Sequence, residues 1–92
     1  MADYRRYFVP GGTYFFTVVT YDRAPIFATE LARRILGQMM RECQRRWPFD
    51  VNAIVLLPEH LHAMWTLPTG DAGYPRRWGW IKKEFTKAWL LA

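Results

Sequence analysis

Apolar and polar positions along the chain form strand-like and helix-like stretches in the order β-α-β-β-α. Residues 13–20 and 51–57 are rich in aromatic and β-branched side chains, which is typical of strands. Residues 60–67 alternate between two faces, and the Pro58-Glu59 link before them is too short for any pairing except an antiparallel one. One face of this third strand carries Leu61, Ala63 and Trp65, and the other carries His60, His62, Met64 and Thr66.

Two further stretches have helical periodicity. The first is predicted to begin near Thr29, a candidate N-cap, and to end before Pro48. The second is predicted to begin near Pro75, which suits a first helical turn. The first apolar stripe comprises Leu31, Ile35, Leu36, Met39, Met40, Cys43 and Trp47, and the second comprises Trp78, Ile81, Phe85 and Trp89. We expect the Met and Cys side chains of these stripes to be core residues rather than ligands.

This order predicts an α+β fold, a ferredoxin-like antiparallel sheet with helices on one face. Residues 4–10 are interpreted as a basic, aromatic lead-in before the first strand. A complete ferredoxin-like unit would add a fourth strand after the second helix. We therefore expect residues 1–92 to form a single, partial domain that lacks a C-terminal part.

Composition narrows the class of partner. The formal net charge of +5 favours a polyanion, with nucleic acid first and an anionic membrane surface second, although many soluble proteins are merely basic. No apolar run approaches the roughly 20 residues of a membrane span, so no spanning segment is expected. The single cysteine fits a reducing, cytoplasmic location. A chain this short buries a modest share of its surface, which leaves room for a homodimer.

The only two histidines, His60 and His62, lie two residues apart on the third strand. Both imidazoles then project from one face and can bind one divalent metal ion. The alternative is that two histidines lie on a half-exposed face by chance.

Cations near both ends of the chain are candidate DNA contacts. Arg5 and Arg6 lie in the lead-in. On the second helix, the side opposite the apolar stripe carries Arg76, Trp80, Lys83 and Lys87, with Lys82 at the edge of the stripe. An exposed tryptophan among cations can stack on a base while the cations pair with phosphates. Alternatively, Trp80 packs on another segment or subunit.

The chain resembles the REP-associated tyrosine transposases, relatives of the single-tyrosine transposases of the HUH nuclease superfamily. The resembling stretches are residues 4–17, 56–68 and 78–86, and the most specific motif is Pro58-Glu59-His60-Leu61-His62. The resemblance implies cleavage and rejoining of single-stranded or hairpin DNA through a 5′-phosphotyrosine link. It gives His60 and His62 the role of ligands to Mg²⁺ or Mn²⁺.

The sequence departs from the family's pattern after residue 86. The family's nucleophilic tyrosine and a further metal ligand lie on a later helix, and this chain has neither. Tyr74 follows the histidine pair but is at a loop–helix boundary, so it is a poor candidate nucleophile.

We therefore expect either a fragment of a longer transposase or a degenerate copy. The alternatives are a non-catalytic nucleic-acid-binding module, a metallohydrolase of another class that uses Glu59, and a protein whose histidine pair is incidental.

Overall fold

The computed structural model describes the backbone of residues 3–9 and 12–92, and the side chains of residues 12–92. Its strands are β1 (Asp3–Val9), β2 (Thr13–Val19), β3 (Asp50–Leu57) and β4 (His60–Thr66). Its helices are α1 (Glu30–Arg46) and α2 (Tyr74–Leu91). The predicted α+β class, with helices on one face of an antiparallel sheet, is confirmed.

The sheet has the strand order β1-β2-β4-β3, and every neighbouring pair is antiparallel. β2 and β3 therefore run parallel to each other with β4 between them, and α1 makes the crossover that parallel strands require. This is the split β-α-β arrangement. It places β4, which carries both histidines, in an inner position of the sheet.

The lead-in before β2 is a strand, which corrects the sequence interpretation. β1 pairs with β2 along its whole length, from Asp3 opposite Val19 to Val9 opposite Thr13. The turn between them includes Gly12, whose φ of +83° is in the left-handed region that favours glycine. β1 also occupies the sheet edge beside β2, so a fourth strand is present without any contribution from residues after α2.

The core lies between the sheet and the two helices. Tyr14, Phe16 and Val18 from β2 and Leu61, Ala63 and Trp65 from β4 are buried on the helix side. Trp78 of α2 stacks on Trp65 with ring centroids 4.4 Å apart. The alternation predicted for β4 is confirmed, because β2 and β4 both place every second side chain on the face that no described helix covers. We call this the open face.

The predicted helix ends are confirmed, while the apolar stripes are corrected at three residues. The hydroxyl oxygen of Thr29 accepts a hydrogen bond from the backbone N–H of Ala32 at 3.2 Å, which makes Thr29 the N-cap of α1. Leu31 is 44% exposed, and Ala32 takes its place in the core because the buried face is shifted by one residue. Trp47 and Trp89, the last members of the two stripes, are only partly buried against the core.

Arg77 is a buried cation that the pattern of α2 does not reveal. Its side chain is 1% exposed and forms two bonds to the Asp71 carboxylate, at 3.1 and 2.9 Å. It also donates to the carbonyls of Trp47, Pro48 and Gly73. Arg77 therefore fastens the segment after α1 to the loop before α2.

Candidate metal centre and nucleic-acid interface

His60 and His62 lie on the open face of β4, as their spacing predicts. The intervening Leu61 is fully buried and anchors the strand in the core. The two imidazole rings lean towards each other, with centroids 4.9 Å apart and planes at 85°. Two imidazoles that bind one ion at about 2.1 Å have centroids roughly 4.5–5.5 Å apart, depending on the angle at the metal. The spacing of the rings therefore suits a shared ion.

A neighbouring oxygen orients each ring through Nδ1. His60 Nδ1 lies 2.8 Å from Oε1 of Glu59, and His62 Nδ1 lies 3.1 Å from Oγ1 of Thr17. Histidines that bind metals commonly use their second ring nitrogen in this way, with a carboxylate or another oxygen as partner. This arrangement directs Nε2 of each ring away from the protein partner and leaves it as the nitrogen for a ligand.

The position of Glu59 differs from that of a residue on a regular strand. Glu59 is in the two-residue turn between β3 and β4, so its side chain is not bound by the alternation of the strand. Its carboxylate reaches back to His60 rather than pointing away from it. The contact places the Glu59 carboxylate beside the pair, where it can orient the His60 ring through Nδ1.

No third His, Cys, Asp or Glu ligand joins the pair in the part of the chain that the structure describes. No cluster of three or more His, Cys, Asp or Glu side chains with metal-binding geometry occurs there. Cys43 is buried on the helix side, and burial raises the pKa of its thiol to about 11. Its side chain is 0% exposed among the core residues, on the side of the sheet opposite the histidine pair. The predicted core role of Cys43 is therefore confirmed.

An apolar cleft of about 390 Å³ adjoins His62 on the open face. Phe15 and Met64 face each other across the β2–β4 pairing, and Phe15 is 42% exposed. An exposed aromatic side chain beside a histidine on a sheet is suited to stacking on a flat, apolar group. The cleft is lined by Phe15, Phe16, Thr17, Ala53, Val55, His62, Ala63 and Met64.

The strand register places Arg5 in the same row as His62. Arg5 pairs with Thr17, and Thr17 pairs with His62. The two rungs put the backbone of Arg5 about 10 Å from that of His62, at about 4.8 Å per strand spacing. The side chains of Arg5 and Arg6 lie outside the described residues.

The other predicted DNA contacts lie on the helix side of the molecule. Arg76, Lys83 and Lys87 of α2 are exposed, and Lys82 is half-buried. Lys83 and Lys87 both lie near the Glu84 carboxylate, at 3.9 and 3.6 Å. The structure thus brings the histidines together with Thr17 and Phe15, and it places the α2 cations on the opposite side of the sheet.

Trp80 is half-buried rather than fully exposed. Its ring meets the edge of Trp47 at 6.4 Å, and the guanidinium of Arg46 lies 5.4 Å from its centroid. The structure therefore shows the alternative in which Trp80 packs on another segment. The end of α1 supplies that segment, a pairing too distant in sequence for the pattern of α2 to indicate.

Tyr74 lies in the core on the helix side. It is 7% exposed, and its ring centroid is 5.1 Å from that of Tyr14 and 5.6 Å from that of Phe16. The sheet separates it from the histidine pair, so its position fits the expectation that it is not the nucleophile.

Comparison with known proteins connects this site to a family. No family model matches the chain. The REP-associated tyrosine transposase of Escherichia coli (strain K12) is 45% identical to it over 89 residues, which are 96% of this chain and 53% of that protein. The chain is a homologue of the REP-associated tyrosine transposases. A second relative with this family description, from Haemophilus influenzae (strain ATCC 51907 / DSM 11121 / KW20 / Rd), is 37% identical over 87 residues, 95% of this chain and 49% of that protein.

A solved structure agrees with this relationship. It is described as the REP-associated tyrosine transposase bound to a REP hairpin, and it matches with a TM-score of 0.75 and 44% sequence identity. The match covers 96% of this chain and 53% of that one. The chain therefore spans about half the length of the relatives it matches. No helix in the described part of the chain is both long enough and apolar enough to cross a membrane.

Proposed function

We propose that this chain is the histidine-bearing part of a DNA transposase of the single-tyrosine HUH type. It binds REP-like hairpin or single-stranded DNA and, within a longer protein, takes part in cutting and rejoining one strand. The observation that carries the proposal is the imidazole pair on the open face, with each Nδ1 held by a neighbouring oxygen.

His60 and His62 would hold a divalent ion, Mg²⁺ or Mn²⁺, through Nε2. The ring spacing and the two Nδ1 contacts support this role, and the remaining positions would be filled by oxygens, which hard cations prefer. Bound there, the ion would polarise the scissile phosphate and stabilise charge on the leaving 3′ oxygen. Glu59 and Thr17 would keep both rings oriented and would stabilise the tautomer that presents Nε2.

The open face would carry the strand that is cut. The cleft beside His62 is apolar where a base would lie, and Phe15 offers a ring face for stacking. Arg5 is in the register row of His62 and would meet a phosphate, and Arg6 would add a further cation. The solved relative is bound to a REP hairpin, which supports hairpin DNA as the partner of this chain. The sequence also predicts contacts on the helix side at Arg76, Lys82, Lys83 and Lys87, whereas Trp80 packs on Trp47 there.

The nucleophilic tyrosine would come from residues other than those of this chain. None of its tyrosines matches the place of the family's nucleophile, and Tyr74 is buried behind the sheet. In a complete enzyme, a tyrosine hydroxyl would attack phosphorus and form a 5′-phosphotyrosine as the 3′ oxygen leaves. The energy of the broken bond would be kept in that link, so a 3′ hydroxyl could reverse the step. Cleavage and rejoining of DNA agree with the cytoplasmic location predicted from the single cysteine. The homodimer stays a prediction.

The experiment is a calorimetric titration of the protein with Mn²⁺. We expect one binding site, weak because two protein ligands are present, which is lost in a His60→Ala, His62→Ala double variant. The matched control is Met64→Ala, which alters the same strand and face without removing a nitrogen ligand. Equal affinity in the wild type and the double variant would remove the metal from the proposal.

The second candidate function is a non-catalytic nucleic-acid-binding module. The absence of a third ligand among the described side chains is the observation that favours it. Such a module would bind hairpin DNA equally well with Mn²⁺ and with a chelator, whereas the transposase proposal predicts tighter binding of the scissile strand when Mn²⁺ is present.

A further inference from the structure

Two arginines and two tryptophans form a mixed cluster on the helix side of the sheet. The guanidinium of Arg46 lies 5.4 Å from the ring centroids of both Trp47 and Trp80, and that of Arg76 lies 5.1 Å from the centroid of Trp47. Arg46 is the last residue of α1, Trp47 follows it, and Arg76 and Trp80 are one turn apart in α2. We call these four residues the arginine–tryptophan cluster.

Both arginines of the cluster lack a carboxylate partner within salt-bridge distance among the described side chains. Two other arginines of α1 do have such a partner, since Arg34 pairs with Glu30 at 3.1 Å and Arg45 with Glu42 at 3.8 Å. A guanidinium that stacks on a ring uses its flat face, so its N–H donors in the plane remain available for an oxyanion. Arg46 and Arg76 are exposed, so an oxyanion in solution can reach them.

Asp71, whose carboxylate interacts with the charge of Arg76, does not neutralise the cluster. Asp71 is bonded on both oxygens to Arg77, and these bonds lower the pKa of its carboxyl to about 2, with a smaller contribution from the charge of Arg76. Arg77 and Asp71 cancel each other's charge, and Arg46 and Arg76 leave a local excess of positive charge. Fixed cations of this kind, already held in place by ring contacts, bind phosphate with little loss of side-chain entropy.

We propose that the arginine–tryptophan cluster binds backbone phosphates of the DNA, as a second contact surface on the side of the sheet opposite the histidine pair. Trp47 and Trp80 then act as positioning residues that hold the guanidinium groups, and Trp80 does not stack on a base. Lys83 and Lys87 follow on the same side of α2, so the cations from Arg76 onwards extend over roughly 16 Å of helix. That length suits several phosphates of one backbone rather than a single free anion. This inference rests on the DNA binding in the proposed function.

The test is a fluorescence anisotropy titration of the protein with a labelled REP-like hairpin, repeated over a series of salt concentrations and with EDTA present. EDTA removes any contribution from a metal at the histidine pair. We expect Arg46→Gln and Arg76→Gln each to lower affinity by about tenfold and to reduce the slope of log affinity against log salt by about 0.9. The matched control is Arg34→Gln, which removes the same charge from an exposed ion pair on α1 and should change affinity by less than about twofold.

Two further variants separate positioning from charge. Trp47→Leu keeps every charge but removes the ring beneath both guanidinium groups, so we expect lower affinity with an unchanged salt slope. Because Trp47 is half-buried, its variant is accompanied by a thermal melt. If Trp47→Leu does not fold, Arg46→Lys serves instead: it keeps the charge and the salt slope but loses the planar fork, and affinity should still fall.

The results distinguish this inference from the proposed function. If the unaltered chain binds the hairpin and both glutamine variants behave like Arg34→Gln, the cluster is not a phosphate site, although the DNA-binding proposal stands. If the unaltered chain does not bind the hairpin, both are overturned. Retained affinity in Trp47→Leu and in Arg46→Lys, together with a loss in the glutamine variants, would overturn the positioning role of the ring.

Discussion

The two histidines depend on different neighbours for their orientation. Glu59, from the turn, holds His60, and Thr17, from the adjacent strand, holds His62. The Thr17 contact is the easier one to test, because valine has nearly the shape of threonine but no hydroxyl. Removing an oxygen that orients a metal-binding imidazole typically costs about tenfold or more in metal affinity.

We therefore expect Thr17→Val to weaken Mn²⁺ binding about tenfold in a calorimetric titration, with little change in the melting temperature. Thr13→Val is the matched control, since Thr13 is on the same strand but bonds to Thr66 at 2.9 Å instead of to a histidine. Wild-type affinity in Thr17→Val would show that this hydroxyl does not orient a metal ligand.

Phe15 and Phe16 are consecutive and chemically identical, yet they lie on opposite faces of β2. Phe15 is 42% exposed beside the cleft, whereas Phe16 is 2% exposed in the core. Phe15→Ala should lower affinity for a single-stranded oligonucleotide by about 1–3 kcal/mol, the usual value of stacking on one base, and leave stability nearly unchanged. Phe16→Ala should instead cost about 3–5 kcal/mol of folding free energy. Fluorescence anisotropy measures the DNA affinity of both variants, and thermal melts measure their stability. Full DNA affinity in Phe15→Ala would count against a base in the cleft.

At the scale of elements, Arg77 joins the two segments that the sheet does not hold together. Its guanidinium bonds to Asp71 in the loop before α2 and to the carbonyls of Trp47 and Pro48 after α1. Replacing a buried cation with an apolar side chain leaves those acceptors without their donor. Arg77→Met should therefore lower the free energy of unfolding by about 3–5 kcal/mol in a denaturant titration. Arg34→Met is the comparison, because its exposed ion pair with Glu30 should contribute less than about 1 kcal/mol.

The ion pair between Arg77 and Asp71 also makes the stability of the fold depend on pH. The Arg77 bonds lower the pKa of Asp71 from 3.8 to about 2 in the folded protein. Because the pKa of Asp71 is lower in the folded than in the unfolded protein, its ionised carboxylate stabilises the fold at pH values above the unfolded pKa. That contribution is lost as pH falls from about 4 towards 2. We expect Asp71→Asn to be less stable than the wild type at neutral pH and to lose less stability over this acidic range. Parallel pH profiles of the two proteins over that range would contradict the assignment.

The sequence allows prediction of the elements whose signals are local. The alternation of β4, the Thr29 cap and the stop at Pro48 all depend on neighbours in the chain, and all are confirmed. The sequence does not reveal β1, because this strand alternates weakly and its pairing is set by the hairpin with β2. It does not reveal the burial of Arg77, because a buried arginine depends on partners distant in the chain. It leaves the position of Trp80 open for a similar reason, since Trp47 lies at the end of the other helix.

At the scale of the molecule, the sheet separates two surfaces with different candidate functions. The open face carries the histidine pair and the apolar cleft, and the helix side carries the core and the arginine–tryptophan cluster. A hairpin that contacts both sides would have to pass around an edge of the sheet. The matched relatives are about twice as long as this chain, so their remaining residues can contribute groups that these 92 residues do not.

This division predicts that the chain binds DNA without cutting it. A nucleophile must come within about 3–3.5 Å of the phosphorus, and the Tyr74 ring is buried against Tyr14 and Phe16 with the sheet between it and the histidines. Incubation with a REP-like hairpin and Mn²⁺ should give a shifted band on a native gel and no covalent protein–DNA adduct on a denaturing gel. Tyr74→Phe should behave like the wild type in both. An adduct that disappears in Tyr74→Phe would place the nucleophile within this chain and would require Tyr74 to leave the core before the reaction.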